Sequence, residues 1–520
     1  MKNLKNIVLV FAVLAMLPMM VFAQKTEKID CKKEECVLEI LEKLKSPDQT
    51  TVSEAKAQVD IWANHVRYTG DPEMKDVLKN AIFIVFEKYK YYDCDEYLFA
   101  KLSWFCNKYD ADDILRLAFV EPIAGAAIRC IGDIPGSQKA IMKYIDAHQD
   151  NLQHKDALAY AVGKLQITSM EDVLVSWLDD ADDPTKIEIY NALMIIKSSD
   201  ETTAIIEKGA KKLNKSKAAD SKIAGMRLLV ALNGEKEIPI LYKALKNKDG
   251  KVRKAALELL KPYANDDVAQ VVVKKCKKGD AAVDAVDWLG DVKNGSQMDF
   301  VMKQFSSKDP KAVDAAIRTV FKLDYAEGIK AVKPLFGGEH QEVIKESLIA
   351  YEGNYVIFLS DMMRLGDNEQ KYAALQIVEC RPVANFATPV RELTNSTNPD
   401  VKAEAFKLLR LVMTPAEAQY LMTLLEYCDD KYVEDVQLAI KNVTQKMPDK
   451  TKDEFASTLK HVRSDLMPRY YNVFAYFGTE LCVNKLIDAY QNGAYQFEAK
   501  EALLLVENDK FKEMIDNILK

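Results

Sequence analysis

The sequence predicts an all-α protein in which short helical hairpins stack into a right-handed α-solenoid of about twelve two-helix repeats. Three observations predict this fold class. Glycine and proline are scarce, at 19 and 16 of 520 residues, whereas an all-β protein needs turn residues at every hairpin. One apolar pattern with helical periodicity recurs along the chain. The recurrence keeps a spacing near 31 residues, which separate globular domains would not preserve.

Residues 1–23 have the pattern of a secretory signal peptide. Lys2 and Lys5 precede an apolar run over 7–22, and a small-residue cleavage box precedes Gln24. The run is shorter than the ~20 residues that a membrane-spanning helix needs. We therefore expect cleavage before Gln24 and export to the periplasm or out of the cell. We expect no membrane span in the mature chain.

Nine cysteines are present, and an oxidising compartment permits disulfides. Because nine is odd, at least one thiol is free or pairs with another chain. The four cysteines of the C-terminal half are isolated and are expected to be buried thiols. One or two bridges are expected among the denser N-terminal set, without a predicted connectivity: Cys31, Cys36, Cys94, Cys106 and Cys130.

Residues 24–150 are predicted to form a helical N-terminal cap of degenerate repeats. The segment is rich in aromatic residues, including Trp62, Phe86 and Trp104, and a repeat array needs atypical ends to cover its apolar core. The tyrosine-rich stretch 88–92 is able to stack on sugar rings or peptide. Packing within the cap is the favoured interpretation.

Residues 151–445 carry the repeats. Each repeat has a turn of Asp, Asn, Gly or Pro, followed by apolar residues at positions 0, +4, +7 and +8 of one helix face. The clearest copies are Val252/Ala256/Leu259/Leu260, Val313/Ile317/Val320/Phe321, Val401/Ala405/Leu408/Leu409 and Tyr432/Val436/Ala439/Ile440. Weaker copies begin at Ala282, Ile344 and Ala373.

A second apolar helix lies between each pair of copies, for example over 238–245 and 298–305. Neither helix can bury its apolar face alone, so stacking of the hairpins is expected to build one continuous core. Turn residues such as Asp249 and Asp309 are predicted N-caps. The acidic stretch 179–183 is interpreted as capping and loop rather than as a calcium loop, because it lacks the glycine and distal glutamate of an EF-hand. Residues 446–520 are predicted to be degenerate C-terminal repeats and a cap.

These segments resemble HEAT repeats of the short HEAT-like variety, which belong to the armadillo-type folds. The resemblance rests on Asp249–Leu260, Asp309–Phe321 and Asn398–Leu409, and it covers roughly residues 150–445. It implies a binding protein that uses an extended concave surface and needs no cofactor.

The sequence has no motif of a known catalytic or metal centre. It contains no His-Glu-x-x-His, Gly-x-Ser-x-Gly, phosphate-binding glycine loop or Cys-x-x-Cys. The five histidines are far apart, so each is expected to be a surface or hydrogen-bonded residue. We therefore predict no catalytic residue, metal ligand or cofactor.

Residues 201–280 are basic, with 19 Lys or Arg against 10 Asp or Glu, in a chain of net charge −7. The competing interpretations are solvated helix faces and a binding surface for an anionic partner. The predicted partner-binding residues are Lys251, Lys254, Lys261, Lys274, Lys275, Lys277 and Lys278.

Together these features predict a non-catalytic exported scaffold that binds a protein partner. Nucleic acid is not expected as a partner of an exported acidic chain. The alternative function is a recognition or accessory module of an envelope glycan-processing enzyme system, with a glycan as the ligand.

Overall fold

The computed structural model describes residues 33–351, 353–459 and 462–520. Every regular element in these ranges is a helix, and the chain divides into two compact units, the first ending at Lys236 and the second beginning at Glu237. Each unit is a stack of two-helix hairpins, which confirms the predicted all-α, HEAT-like fold class. The predicted signal peptide lies outside the described residues.

In the first unit each hairpin has a first helix, called the A helix here, and a second helix, called the B helix. The A helices are Glu34–Glu42, Pro72–Glu87, Ala111–Leu115, Gln138–Ala147, Glu171–Trp177 and Asp200–Leu213. The B helices are Gln49–Thr69, Asp95–Phe105, Ala124–Gly132, Lys155–Lys164, Asp183–Ile196 and Ala219–Asn233.

The second unit repeats the same alternation. Its A helices are Ile238–Ala244, Asp266–Lys275, Met298–Gln304, Tyr325–Val332, Val356–Leu365, Ala387–Leu393, Ala418–Tyr427, Asp449–Thr458 and Glu480–Asn492. Its B helices are Gly250–Leu260, Asp280–Asp291, Pro310–Leu323, Gln341–Ala350, Asn368–Cys380, Pro399–Val412, Val433–Thr444, Pro468–Phe477 and Gln496–Leu504. Asp509–Leu519 is the last helix.

Successive B helices pack directly on one another within each unit, whereas the A helices form the second layer. Two close approaches between successive B helices occur at glycines of the first unit. A Cβ atom on Gly132 would lie 2.8 Å from the Cα atom of Ala161, and one on Gly163 would lie 2.8 Å from the Cα atom of Ala192. The B layer therefore depends on the absence of a side chain at these contacts.

The predicted apolar positions form the core between the layers. All four positions of the copies that begin at Val313, Val401 and Tyr432 are buried, as are Ala282, Ile344 and Ala373. The copy at Val252 differs, because Leu257 is buried and Leu259 is only half-buried. Leu257 belongs to the contact with the next B helix, since its carbonyl oxygen accepts a hydrogen bond from Trp288.

Helix capping agrees with the sequence at three of the four clear copies. The side chains of Asp249, Asp309 and Asn398 accept backbone N–H bonds at the starts of their helices. Asp182, from the acidic stretch, caps in the same way. The expectation was wrong for Asp429, whose carboxylate pairs with Lys402 at 2.9 Å, so the next B helix begins after a 3₁₀ turn without that cap.

The aromatic N-terminal region packs internally, as favoured. Phe86 and Phe99 stack with ring centroids 4.9 Å apart. Tyr91 donates a hydrogen bond to the Leu44 carbonyl at 2.8 Å, and the Lys45 ammonium lies over its ring. Tyr91, within the tyrosine-rich stretch, is therefore packed against the fold.

Cys36 is disulfide-bonded. Cys94, Cys106 and Cys130, which were candidates for further bridges, are free and buried. Of the other four described cysteines, three are buried thiols as expected, but Cys380 is exposed. No helix within the described ranges combines the length and apolar character needed to cross a lipid bilayer.

Candidate functional site: the lysine edge of the second unit

Three successive turns that lead from an A helix to a B helix lie along one edge of the second unit. They span residues 245–249, 276–279 and 305–309. The B helices that follow them run parallel and in register, because Arg253 contacts Asp284 near the helix starts and Lys261 contacts Asp291 near the helix ends. The starts of these helices, and the turns before them, therefore share an edge, which we call the lysine edge.

Lysines occupy equivalent positions of these turns. Lys248, Lys278 and Lys308 each lie directly before the N-cap residue of the following B helix, which is Asp249, Gly279 and Asp309 in turn. Five more exposed lysines flank them: Lys246, Lys251, Lys274, Lys277 and Lys311. None of these eight ammonium groups forms an ion pair with a carboxylate of the described residues. The edge consequently presents positive charge that the fold does not neutralise.

Backbone and side-chain contacts fix the turns. The Arg253 guanidinium donates to the carbonyl oxygens of Asn247 and Lys248, both at 3.1 Å, and pairs with Asp284 at 3.1 Å. The Cys276 thiol lies 3.8 Å from the Leu245 carbonyl oxygen, so the first two turns are in contact. Burial raises the pKa of Cys276 to about 11, which leaves its thiol protonated and unreactive at neutral pH.

The structure brings most of the sequence-predicted binding residues together. Five of the seven lie at the lysine edge: Lys251, Lys274, Lys275, Lys277 and Lys278. Of these five, Lys275 is half-buried and the other four are exposed. Their role in binding stays a prediction.

Lys254 and Lys261 are placed differently, because carboxylates of the next B helix engage them. Lys254 lies one helical turn inside the edge, with its ammonium 3.8 Å from Asp284. Lys261 lies at the opposite end of its helix, 2.7 Å from Glu258 and 3.1 Å from Asp291. Lys261 therefore links two repeats, whereas the side chain of Lys254 stays 71% exposed beside Asp284.

The electrostatics of Asp291 support that structural role. Burial alone would raise its pKa, but hydrogen bonds from Lys322 and Lys261 outweigh burial and hold the pKa below its usual value. The hydrogen bond to Glu258 in turn raises the pKa of Lys261. Asp291 therefore stays ionised between two lysines and connects three successive B helices.

Four lysines of this edge were not among the residues predicted from the sequence: Lys246, Lys248, Lys308 and Lys311. The signal that locates them is the repeat register rather than the local density of lysine. Lys308 lies outside the basic segment 201–280, yet it occupies the same turn position as Lys248 and Lys278, directly before the helix N-cap.

Elsewhere in the described ranges, no group of three or more His, Cys, Asp or Glu is arranged to hold a metal ion. The described histidines have partners: His340 contacts Asp314 at 2.7 Å, His154 contacts Glu121 at 2.7 Å and His65 contacts Asp71 at 3.4 Å. His148 contacts a backbone carbonyl. His461 lies outside the described residues.

No protein-family model and no curated protein matches the sequence. Among solved structures, Kap95p in its complex with RanGDP aligns at a TM-score of 0.43 and 12% identity, over 94% of this chain and 79% of that one. Yeast importin-beta (Kap95p) aligns at a TM-score of 0.39 and 12% identity, over 94% and 91%. Kap121p bound to Nup53p aligns at 0.35 and 13%, over 94% of this chain but only 58% of Kap121p.

Proposed function

We propose that the protein is an exported, non-catalytic scaffold that binds an acidic segment of a partner protein along the lysine edge. The observation that carries the proposal is the unneutralised ladder of Lys248, Lys278 and Lys308, each directly before the N-cap of one of three successive B helices. A row of positively charged lysines attracts an anionic partner and orients it.

The repeat geometry indicates what kind of segment fits. Helices of adjacent hairpins pack about 8–10 Å apart, so equivalent lysines recur at about that distance. An extended peptide rises about 3.3 Å per residue, and three residues therefore cover about 10 Å. A segment with Asp or Glu at every third position would place one carboxylate opposite each lysine.

Charge reversal on the lysine edge is expected to weaken this binding. A fluorescent peptide with Glu at every third position should bind the double variant Lys278→Glu/Lys308→Glu at least tenfold more weakly than the original chain, because attraction becomes repulsion. Anisotropy titration measures the affinity, and added salt should weaken binding to the original chain.

The matched control is Lys446→Glu/Lys450→Glu, which makes the same change in net charge at two exposed positions around a B-to-A turn. It should keep most of the affinity. A peptide of identical composition with clustered Glu should bind more weakly than the spaced one. An equal loss of affinity in both double variants would show that net charge alone explains the effect. That result would contradict binding at a defined surface.

The proposal of export rests on the sequence of residues 1–23. Fractionation of cells that express the full chain, followed by N-terminal sequencing, should recover a chain that begins at Gln24 outside the cytoplasm. A cytoplasmic chain that retains residues 1–23 would contradict export without affecting the lysine edge.

A further inference from the structure

Three aromatic rings form an open cluster in the first unit. Phe119 ends the 3₁₀ segment Arg116–Phe119, and 64% of its surface is exposed although its side chain is entirely apolar. Its ring centroid lies 5.8 Å from that of Tyr144 and 5.3 Å from that of His148, and these two rings are 4.5 Å apart. The three rings therefore pack against one another, while Phe119 leaves most of its apolar surface open to solvent.

The cluster borders a pocket of about 350 Å³. Small-molecule sites have volumes of roughly 300–1,000 Å³, so the pocket has room for a small ligand. Polar side chains complete its wall: Glu121, Asp150, Asn151 and Gln153. A smaller cavity of about 160 Å³ adjoins the same three rings and is also lined by Arg116 and Lys143.

The tautomer of His148 adds a hydrogen-bond acceptor. Its Nδ1 atom lies 2.7 Å from the carbonyl oxygen of Tyr144. Because a carbonyl oxygen only accepts, Nδ1 carries the proton, and Nε2 of the neutral ring is then an acceptor. The carboxylates of Glu121 and Asp150 also accept, whereas the Asn151 amide donates and accepts.

We propose that this pocket, called the Phe119 pocket, binds a neutral saccharide unit. One face of a pyranose ring is made of C–H groups and can stack on Phe119, while its hydroxyls both donate and accept at the ring edge. A purely apolar ligand would fit poorly, because it would remove the polar wall from water without replacing its hydrogen bonds. The inference is independent of the lysine edge, which lies in the other unit.

Saturation-transfer NMR and calorimetry with cellobiose, maltotriose, mannobiose, xylobiose and chitobiose test the proposal. At least one of these saccharides should bind, and Phe119→Ala should weaken it at least tenfold. Because Phe119 is largely exposed, the variant is expected to fold, which circular dichroism checks. The matched control is Tyr109→Ala, since Tyr109 is 82% exposed and does not line the pocket.

A second variant, Asn151→Ala, separates hydrogen bonding from stacking and should weaken the same saccharide while leaving Phe119 in place. The affinity for the free sugar is compared with the affinity for the same sugar attached to a carrier protein. This comparison distinguishes an oligosaccharide ligand from a glycan carried by a protein. Absence of binding to all five saccharides, or equal affinity in the original chain and Phe119→Ala, would overturn the proposal.

Discussion

Replacing Trp288 with Ala is expected to lower the free energy of unfolding by about 3–5 kcal/mol, which is the usual range for a large buried aromatic side chain. Trp288 is 2% exposed and lies on the B helix Asp280–Asp291. Its indole N–H donates to the Leu257 carbonyl on the preceding B helix at 2.8 Å. The substitution both opens a cavity and leaves that carbonyl without its partner.

Urea denaturation followed by circular dichroism measures the loss, and hydrogen exchange locates it. Exchange should accelerate in Gly250–Leu260 as well as in Asp280–Asp291, because each repeat is stabilised mainly by its neighbours. Trp288→Phe keeps most of the ring and should cost clearly less. Exchange that changes only within Asp280–Asp291 would show that the hairpins do not support one another.

Gly163→Ala is expected to destabilise the first unit by about 1–3 kcal/mol, the range for overpacking of a close contact. The added Cβ atom would lie 2.8 Å from the Cα atom and 2.9 Å from the Cβ atom of Ala192. A backbone atom cannot rotate away, so the B helices Lys155–Lys164 and Asp183–Ile196 must separate. Thermal unfolding monitored by circular dichroism measures the effect.

Gly295→Ala is the control for the same chemical change. A Cβ atom on Gly295 would meet nothing within 4 Å, so its effect should stay within about 0.5 kcal/mol. Equal stability of the Gly163 and Gly295 variants would contradict the close packing of the B layer.

Local patterns were sufficient to predict the helices, the core and most caps. The positions at Val313, Ile317, Val320 and Phe321 are buried because a single helix face determines them. Capping by Asp309 depends only on residues within three positions. Features of this kind follow from helix geometry and short-range hydrogen bonds.

Features that depend on the neighbouring repeat could not be predicted from local patterns. Leu257 replaces Leu259 in the buried set because the adjacent B helix contacts it. Lys254 and Lys261 were predicted to bind a partner, and their contacts with Asp284 and Asp291, 30 residues further along the chain, have no local sequence signal. The Phe119 pocket has no periodic signal, since its rings come from a 3₁₀ segment and the end of an A helix.

The lysine edge could be predicted in part from the sequence. Counting lysines identified Lys278 but not Lys248 or Lys308. Alignment of the turns on the helix N-caps relates all three, because equivalent positions of stacked repeats must lie on the same edge.

The most direct test of the scaffold proposal is lysine footprinting. The chain is acetylated with and without the peptide that carries Glu at every third position, and mass spectrometry quantifies modification at each lysine. The account predicts that Lys248, Lys278 and Lys308 are protected together, while Lys446 and Lys450 react as before. Uniform reactivity at all five lysines, or protection confined to other positions, would contradict it.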